Sequence, residues 1–115
     1  MKFIIDNNLS YGLAKGLNSF GENVEHLTDH LEEDITDVEL LMYLGEHDYC
    51  LITRDDRIRF NPSELAALKK HKVGAFFLIG KNHRRWDIVK QVVRGLEQIK
   101  KKSKIRKPFA YKVSR

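Results

Sequence analysis

The sequence predicts an α/β protein, a three-layer α/β/α sandwich around a mostly parallel central sheet. Short apolar runs of strand length alternate along the chain with longer segments whose apolar residues recur at helical spacing. Two of these runs, residues 3–5 and 50–52, end abruptly in polar residues that include aspartate. Strands joined by helices pair in parallel through right-handed crossovers, which places every strand's carboxyl end on one edge of the sheet.

The amino-terminal part of the chain predicts a strand, a helix and a second strand. Residues 2–6 form a strand buried on both faces, because their apolar side chains are consecutive rather than alternating. A helix over residues 10–20 follows, and Gly21 ends it. Residues 23–27 give a weak second strand, and residues 28–35 form an acidic connector.

The second helix and the third strand bring in the central acidic residues. Thr36 is a favourable N-cap, and Glu39 three residues later completes a capping box. The third strand, residues 49–53, ends shortly before the adjacent Asp55 and Asp56. Carboxylates at these positions lie at the carboxyl edge of the sheet, where parallel sheets bind their ligands.

A third helix and a fourth strand are predicted next. Asn61 is the N-cap, Pro62 fits the first helical position, and Glu64 lies three residues beyond the cap. This helix runs to His71, and residues 73–79 form the fourth strand.

The carboxyl-terminal part predicts a long basic helix, residues 84–102, and a short last strand, residues 109–113. The helix has an apolar stripe that is expected to be buried, and we expect Trp86 to pack in the core as well. No internal repeat or linker is visible, so residues 1–115 are expected to form one domain with a basic helix and tail. The residues of the apolar stripe are Ile88, Val89, Val92, Val93, Leu96 and Ile99.

Charge is divided unevenly along the chain. Residues 1–64 carry 5 Lys or Arg and 14 Asp or Glu, whereas residues 65–115 carry 16 and 2. The two halves therefore have net charges of −9 and +14 within the overall +5. This asymmetry fits an acidic cation-binding pocket beside a surface for a polyanion, although basic runs are also common on simple solvated faces.

Composition excludes several classes of protein. No apolar run is long enough to span a membrane, and no membrane partner is expected. A single cysteine, Cys50, lies in a predicted core strand, which argues against a thiol nucleophile and fits a reducing cytoplasm. His26 and His30 lack the accompanying cysteines of a zinc site, and no glycine-rich phosphate loop is present.

Four aspartates are the main candidates for chemistry: Asp6, Asp37, Asp55 and Asp56. Each has a structural explanation when taken singly, since acidic residues also stabilise helix amino termini and turns. Asp6 and Asp55 together follow two separate apolar strands, and this favours a shared pocket. Carboxylates from separate elements can hold a hard cation such as Mg²⁺, and we expect Asp6, Asp37 and Asp55 to converge on it.

Three further polar residues are assigned supporting roles. Glu39 and Glu64 are explained equally well as helix-capping residues. Asn8 either orients a carboxylate or phosphate or begins the following helix.

Basic residues near these carboxylates and along the last helix are expected to contact nucleic acid, RNA or DNA. Trp86, Phe109 and Tyr111 are interleaved aromatics that unpaired bases can stack on, with core packing preferred for Trp86. The expected RNA-binding residues are Arg54, Arg57, Lys81, Arg84, Arg85, Lys100, Lys101 and Lys102.

The order and spacing of four short stretches resemble the PIN-like nuclease domains, and more narrowly their small VapC-type toxin branch. The resemblance covers roughly residues 3–113, and no single stretch is specific by itself. The stretches are Asp6-Asn7-Asn8-Leu9, Thr36-Asp37-Val38-Glu39, Asp55-Asp56-Arg57-Ile58 and Asn61-Pro62-Ser63-Glu64.

The resemblance implies an endoribonuclease that uses Mg²⁺ or Mn²⁺, a partner antitoxin and possible pairing into a homodimer. Asp6, Asp37 and Asp55 match the family's acidic positions. The fourth position is open, because another PIN-like branch has aspartate where this chain has Arg57. Either Asp56 substitutes for it, as a ligand or a general base, or three carboxylates suffice.

Two other functions compete with this one. The chain is alternatively an inactive module that binds nucleic acid or an antitoxin. A phosphoacceptor domain of the receiver type also places aspartates after its first and third strands, but it needs a further strand and helix before the lysine that Lys81 would represent.

Overall fold

A five-stranded, entirely parallel sheet forms the centre of the molecule in the structure, a computed structural model that describes residues 1–81 and 84–114. The spatial order is β2-β1-β3-β4-β5. The strands are β1 (Phe3–Ile5), β2 (Val24–His26), β3 (Cys50–Thr53), β4 (Gly74–Leu78) and β5 (Phe109–Val113).

Within the described residues, five helices cover the two faces of the sheet. A short 3₁₀ turn, Leu27–Asp29, follows β2, so the second strand ends one residue earlier than predicted. The helices are α1 (Tyr11–Ser19), α2 (Asp37–His47), α3 (Arg57–Phe60), α4 (Pro62–Lys70) and α5 (Arg85–Lys102).

The core consists of two apolar layers, one on each side of the sheet. On one side Phe3 and Ile5 pack with residues of α1 and α5; on the other Ile4 packs with residues of α2 and α4. The central strands β1, β3 and β4 are buried at every position, as expected of a parallel sheet covered on both faces. The predicted α/β class and three-layer architecture are therefore confirmed.

Two side chains of α5 do not lie where the sequence predicted. Trp86 is 67% exposed and Val93 is 52% exposed. They lie seven residues apart on one side of α5, rotated away from the stripe centred on Ile88, Val92 and Ile99 that faces the sheet. The core-packing assignment of Trp86 is wrong because the helix buries only that stripe.

The register of β1 and β3 creates the place where polar residues meet. Ile5 is paired with Ile52, and the Asp6 amide donates a hydrogen bond of 3.1 Å to the Ile52 carbonyl. Asp6 and Thr53 therefore leave the apolar sheet side by side at its carboxyl edge.

None of the helices in the described part of the chain is long and apolar enough to cross a membrane.

Close packing of α2 on the end of α4 depends on a glycine. A Cβ added at Gly45 would lie 2.8 Å from the Cβ of His71 and nearer still to the His71 carbonyl oxygen. A Cβ added at Gly16, in α1, would meet nothing within 4 Å. The same substitution should therefore have opposite effects at the two positions.

We predict that Gly45→Ala lowers the free energy of unfolding by about 1–3 kcal/mol through overpacking. Gly16→Ala should raise it by up to about 1 kcal/mol, because alanine loses less backbone entropy than glycine in a helix. Urea denaturation of both variants beside the wild-type chain measures the difference. Equal effects at the two positions would contradict the close approach of α2 and His71.

Candidate active site

Asp6 is a buried carboxylate at the end of β1. Its Oδ2 accepts a hydrogen bond of 2.9 Å from the Thr53 hydroxyl, and its Oδ1 accepts one of 2.7 Å from the Asn7 amide. Burial raises the pKa of Asp6 above its ordinary value, and these two donors offset only part of that cost. The charges of Asp37 and Asp55 raise the pKa of Asp6 further.

Thr53 links the ends of β1 and β3 through its hydroxyl group. Besides donating to Asp6, this oxygen accepts the Asp55 amide at 2.9 Å and the Asn8 side-chain amide at 3.2 Å. The side-chain oxygen Oδ1 of Asn8 in turn accepts the Arg54 backbone amide at 3.2 Å. Sequence reasoning missed Thr53, although a threonine that closes an apolar strand just before an aspartate is a visible signal.

Asp55 is held by the guanidinium group of Arg57. Nη2 of Arg57 lies 2.6 Å from Asp55 Oδ2, Nε lies 2.9–3.0 Å from both carboxylate oxygens, and the Arg57 amide donates to Oδ1 at 2.9 Å. These contacts, led by the side-chain hydrogen bonds, keep the pKa of Asp55 below its ordinary value. The same Nη2 lies 3.9 Å from Asp37 Oδ2, so one cation faces two of the carboxylates.

Asp37, the first residue of α2, pairs with Glu64 of α4. Burial raises the pKa of Asp37 to about 6, helped by a hydrogen bond with the Glu64 side chain and by the charges of Glu64 and Asp55. The Oε2 atom of Glu64 is buried and has no hydrogen-bond partner in the described structure. Glu64 therefore belongs to the carboxylate cluster, defined as Asp6, Asp37, Asp55 and Glu64.

Sequence reasoning ranked Glu64 below the aspartates because a capping box explained it. The amino end of α4 is in fact capped by the side-chain oxygen Oδ1 of Asn61, which accepts the Ser63 and Glu64 backbone amides. The reciprocal bond of a capping box is not made, since the Asn61 amide donates to the Arg57 carbonyl. The Glu64 side chain is thus available to face Asp37.

The structure does not bring Asp56 or Glu39 into this cluster. Asp56 lies at the start of α3, half exposed, with Oδ1 accepting a 2.8 Å hydrogen bond from Arg59. Glu39 accepts a 2.9 Å hydrogen bond from the Thr36 hydroxyl, and Thr36 accepts the Glu39 amide. The Glu39 side chain is therefore bonded to the N-cap residue of α2.

The basic residues divide between the two ends of the sheet. Arg54 and Arg85 line a cavity beside the carboxylate cluster, and Lys81 and Arg84 lie exposed between β4 and α5. The 18 residues of α5 rise about 27 Å, so its lysine-rich end lies at the opposite, amino-terminal edge.

The three carboxyl-terminal lysines of α5 have other neighbours. Lys100 pairs with Glu22 at 2.9 Å, and the Lys102 ammonium lies 4.5 Å from the Tyr111 ring centre. The structure therefore does not bring Lys100, Lys101 and Lys102 together with the carboxylates. Tyr111 itself stacks on Phe76, as part of the sheet's packing.

The donor set suits a hard divalent cation, since it consists of carboxylate oxygens and includes one buried oxygen without a partner. Within residues 1–81 and 84–114, however, no three His, Cys, Asp or Glu side chains are placed to hold one ion together. Arg57 lies between Asp55 and Asp37 and supplies positive charge there. Asp55 and Asp37 have the carboxylate oxygens that Mg²⁺ or Mn²⁺ prefers, but in this structure they face the guanidinium group of Arg57.

The raised pKa of Asp37 predicts a dependence of stability on pH. The pKa of Asp37 is about 6 in the folded chain and 3.8 in the unfolded chain. Between these pH values the folded chain therefore holds a proton on Asp37 that the unfolded chain has released. The stabilisation is complete below about pH 4 and is lost as the pH rises through about 6.

Asp37→Asn should therefore gain stability relative to the wild type as the pH rises over this range. We expect about 1–2 kcal/mol after screening by solvent, a shift of several degrees in melting temperature. Thermal unfolding in chelator at a series of pH values measures it, with Asp56→Asn as the control outside the cluster. A constant difference across the range would contradict the burial of Asp37 against Glu64.

Comparison with known proteins agrees with this architecture. A family model described as "PIN like domain" matches residues 1–80, which include β1 to β4 and all four members of the carboxylate cluster. No curated protein and no solved structure shows a significant match. Because the family model covers more than half of the chain, the protein belongs to the PIN-like domain family.

Proposed function

We propose that this protein is a metal-dependent endoribonuclease. The observation that carries the proposal is the gathering of four carboxyl groups at the carboxyl edge of a parallel sheet in a PIN-like domain. A basic rim beside this edge, with Arg54, Lys81, Arg84 and Arg85, supports RNA as the substrate.

Asp6, Asp37 and Asp55 are the residues that would hold Mg²⁺ or Mn²⁺, and Glu64 is the fourth carboxylate available to them. When bound, the cation would lower the pKa of an attacking water and offset negative charge on the scissile phosphate. Thr53 and Asn7 hold Asp6 in place, so this carboxylate is ordered before substrate arrives. Asp37, whose pKa of about 6 applies to the metal-free chain, would give up its proton when it binds the cation.

Arg57 has two roles in this proposal. It neutralises Asp55 and faces Asp37 when no other cation is present, because crowded carboxylates repel one another. Its side chain is 76% exposed, so it can turn toward a phosphate once it leaves Asp55. Hydrolysis of this kind needs no 2′-hydroxyl group and leaves a 5′-phosphate and a 3′-hydroxyl.

The biological role that we propose is the toxin of a toxin–antitoxin pair, acting in the cytoplasm with a cognate antitoxin and able to pair as a homodimer. The likeness of the four sequence stretches to VapC-type toxins supports this role. The buried Cys50, whose pKa burial raises to about 11, is compatible with a reducing compartment.

A second candidate is an inactive module that binds RNA or an antitoxin. The pairing of Arg57 with Asp55 favours it, because this arginine stands where another PIN-like branch has an aspartate. A receiver-type phosphoacceptor is less favoured. The strand order β2-β1-β3-β4-β5 is shared with that group of folds, but the family match is to PIN-like domains.

Cleavage of mixed RNA with Mg²⁺, Mn²⁺ or chelator separates these candidates. We predict that Asp55→Asn and Asp6→Asn each lower the rate at least about 100-fold, the usual loss for one transition-state contact. Asp56→Asn, outside the cluster, should change the rate little. Chelator-resistant cleavage or 2′,3′-cyclic phosphate products would exclude this chemistry, and no cleavage by the wild type would favour the inactive module.

Competition between Arg57 and a cation is testable without RNA. We predict that Arg57→Gln binds Mn²⁺ severalfold more tightly than the wild type, because Asp55 loses its internal counter-charge. Titration calorimetry measures the affinity, and Arg59→Gln is the matched control because Arg59 pairs with Asp56. If both variants bind Mn²⁺ like the wild type, Arg57 does not compete for this site.

A further inference from the structure

A cavity of about 380 Å³ lies between the amino-terminal ends of α1 and α5, next to the carboxylate cluster. Its size is in the range of small-ligand sites. Its lining is part polar and part apolar: Asn7, Asn8, Leu9, Ser10, Leu13, Arg54, Arg85, Ile88 and Val89.

The cavity is connected to the carboxylates by a chain of hydrogen bonds. Asn8 lines the cavity, and its side chain joins the Thr53 hydroxyl, which donates to Asp6. Arg54 lines it as well and stands between Thr53 and Asp55 in the sequence. A group in the cavity would therefore be next to whatever binds at the carboxylates.

The polar part of the lining suits a phosphate group. Arg54 and Arg85 bring two guanidinium groups from different elements to one cavity, and such groups bind phosphate oxygens in a fork-like geometry. The cavity also lies at the start of α5, whose N-cap Arg84 makes no side-chain capping hydrogen bond. Amide groups of that first turn add partial positive charge.

The apolar part of the lining suits the face of a base. Leu9, Leu13, Ile88 and Val89 form one wall, contributed by α1 with its preceding loop and by α5. A base must leave its pairing partner before it can enter a space between two helices. Trp86, which is exposed and directly follows Arg85, adds an aromatic surface at the same end of α5.

We propose that this cavity binds one unpaired nucleotide of the RNA, next to the phosphate that is cut. Its phosphate contacts Arg54 and Arg85, and its base packs on the Leu9, Leu13, Ile88 and Val89 wall. This inference rests on the proposed ribonuclease function and assigns the residues that would hold one nucleotide of its substrate. The shared chemistry also allows a free nucleotide as the ligand, and the experiment separates the two.

The experiment measures binding of the whole chain to RNA in chelator, so that cleavage does not interfere. The probes are an unpaired oligouridine of about eight nucleotides, a blunt duplex of the same length, and uridine monophosphate. Anisotropy of labelled RNA, with competition by the unlabelled mononucleotide, gives affinities. Emission of Trp86 reports locally, because it is the chain's one tryptophan.

Two variants alter the cavity and two matched variants do not. Arg85→Gln removes a guanidinium group, and Val89→Phe fills the apolar part. Arg94→Gln and Val93→Phe make the same changes elsewhere on α5, at exposed positions outside the cavity lining. Thermal unfolding checks that all four variants fold.

We expect Arg85→Gln and Val89→Phe to bind the oligouridine about tenfold more weakly than the wild type, the usual effect of one lost phosphate or base contact. The two matched variants should bind within about twofold of it, and the duplex and the mononucleotide should bind more weakly than the oligouridine. RNA should also change the emission of Trp86.

Equal affinity of the cavity variants and their matched controls would overturn the subsite. Equal affinity for duplex and single strand would overturn the preference for unpaired RNA, and equally tight mononucleotide binding would make the cavity a free-nucleotide site. Failure of the ribonuclease function would look different. Cleavage with Mn²⁺ would then be absent, while oligouridine binding would still depend on Arg85 and Val89.

Discussion

Repulsion among four carboxyl groups is the constraint on which the carboxyl edge of this molecule depends. Asp6, Asp37, Asp55 and Glu64 come from four different elements, and burial raises the pKa of Asp6 and Asp37. The fold tolerates this crowding because each group has a specific partner. Thr53 donates to Asp6, Asp37 and Glu64 share a hydrogen bond, and Arg57 pairs with Asp55.

The carboxylates differ in how firmly they are held, and this difference has a chemical meaning. Asp6 is fixed by Thr53 and a backbone amide within the apolar sheet, whereas Asp55 is bound by an exposed arginine. An exposed ion pair is a weak interaction that an incoming cation can replace. The pocket therefore combines one firmly held carboxylate with others that can rearrange, which suits the cation and the phosphate of the proposed reaction.

The positive charge of the second half of the chain is distributed by the direction of α5. This helix runs from the carboxyl edge of the sheet to its amino edge, so Arg85 and Lys100 are separated by most of its length. Basic residues near Arg85 lie beside the carboxylates. At the other end of the helix, Lys100 pairs with Glu22 and lines a second cavity together with Met1 and Phe3. The net charge of the second half of the chain does not distinguish these two groups of basic residues.

The sequence by itself predicted the layered architecture and three members of the carboxylate cluster, Asp6, Asp37 and Asp55. Consecutive apolar residues require strands buried on both faces, and helical spacing between them requires parallel crossovers. Asp6 and Asp55 were identifiable because they follow two such strands, and parallel pairing puts both at one edge. These features depend on local spacing, which is fully visible in a sequence.

Tertiary structure alone decided the positions of Glu64, Arg57 and Trp86. Glu64 has a sufficient local explanation at the start of α4, and only the packing of α2 against α4 directs it to Asp37. Arg57 meets Asp55 through a local turn, but its approach to Asp37 depends on how α2 packs beside that turn. Trp86 is exposed because α5 rotates a different stripe toward the sheet. Each of these depends on how two elements are oriented in space, and residue spacing within one element does not contain that orientation.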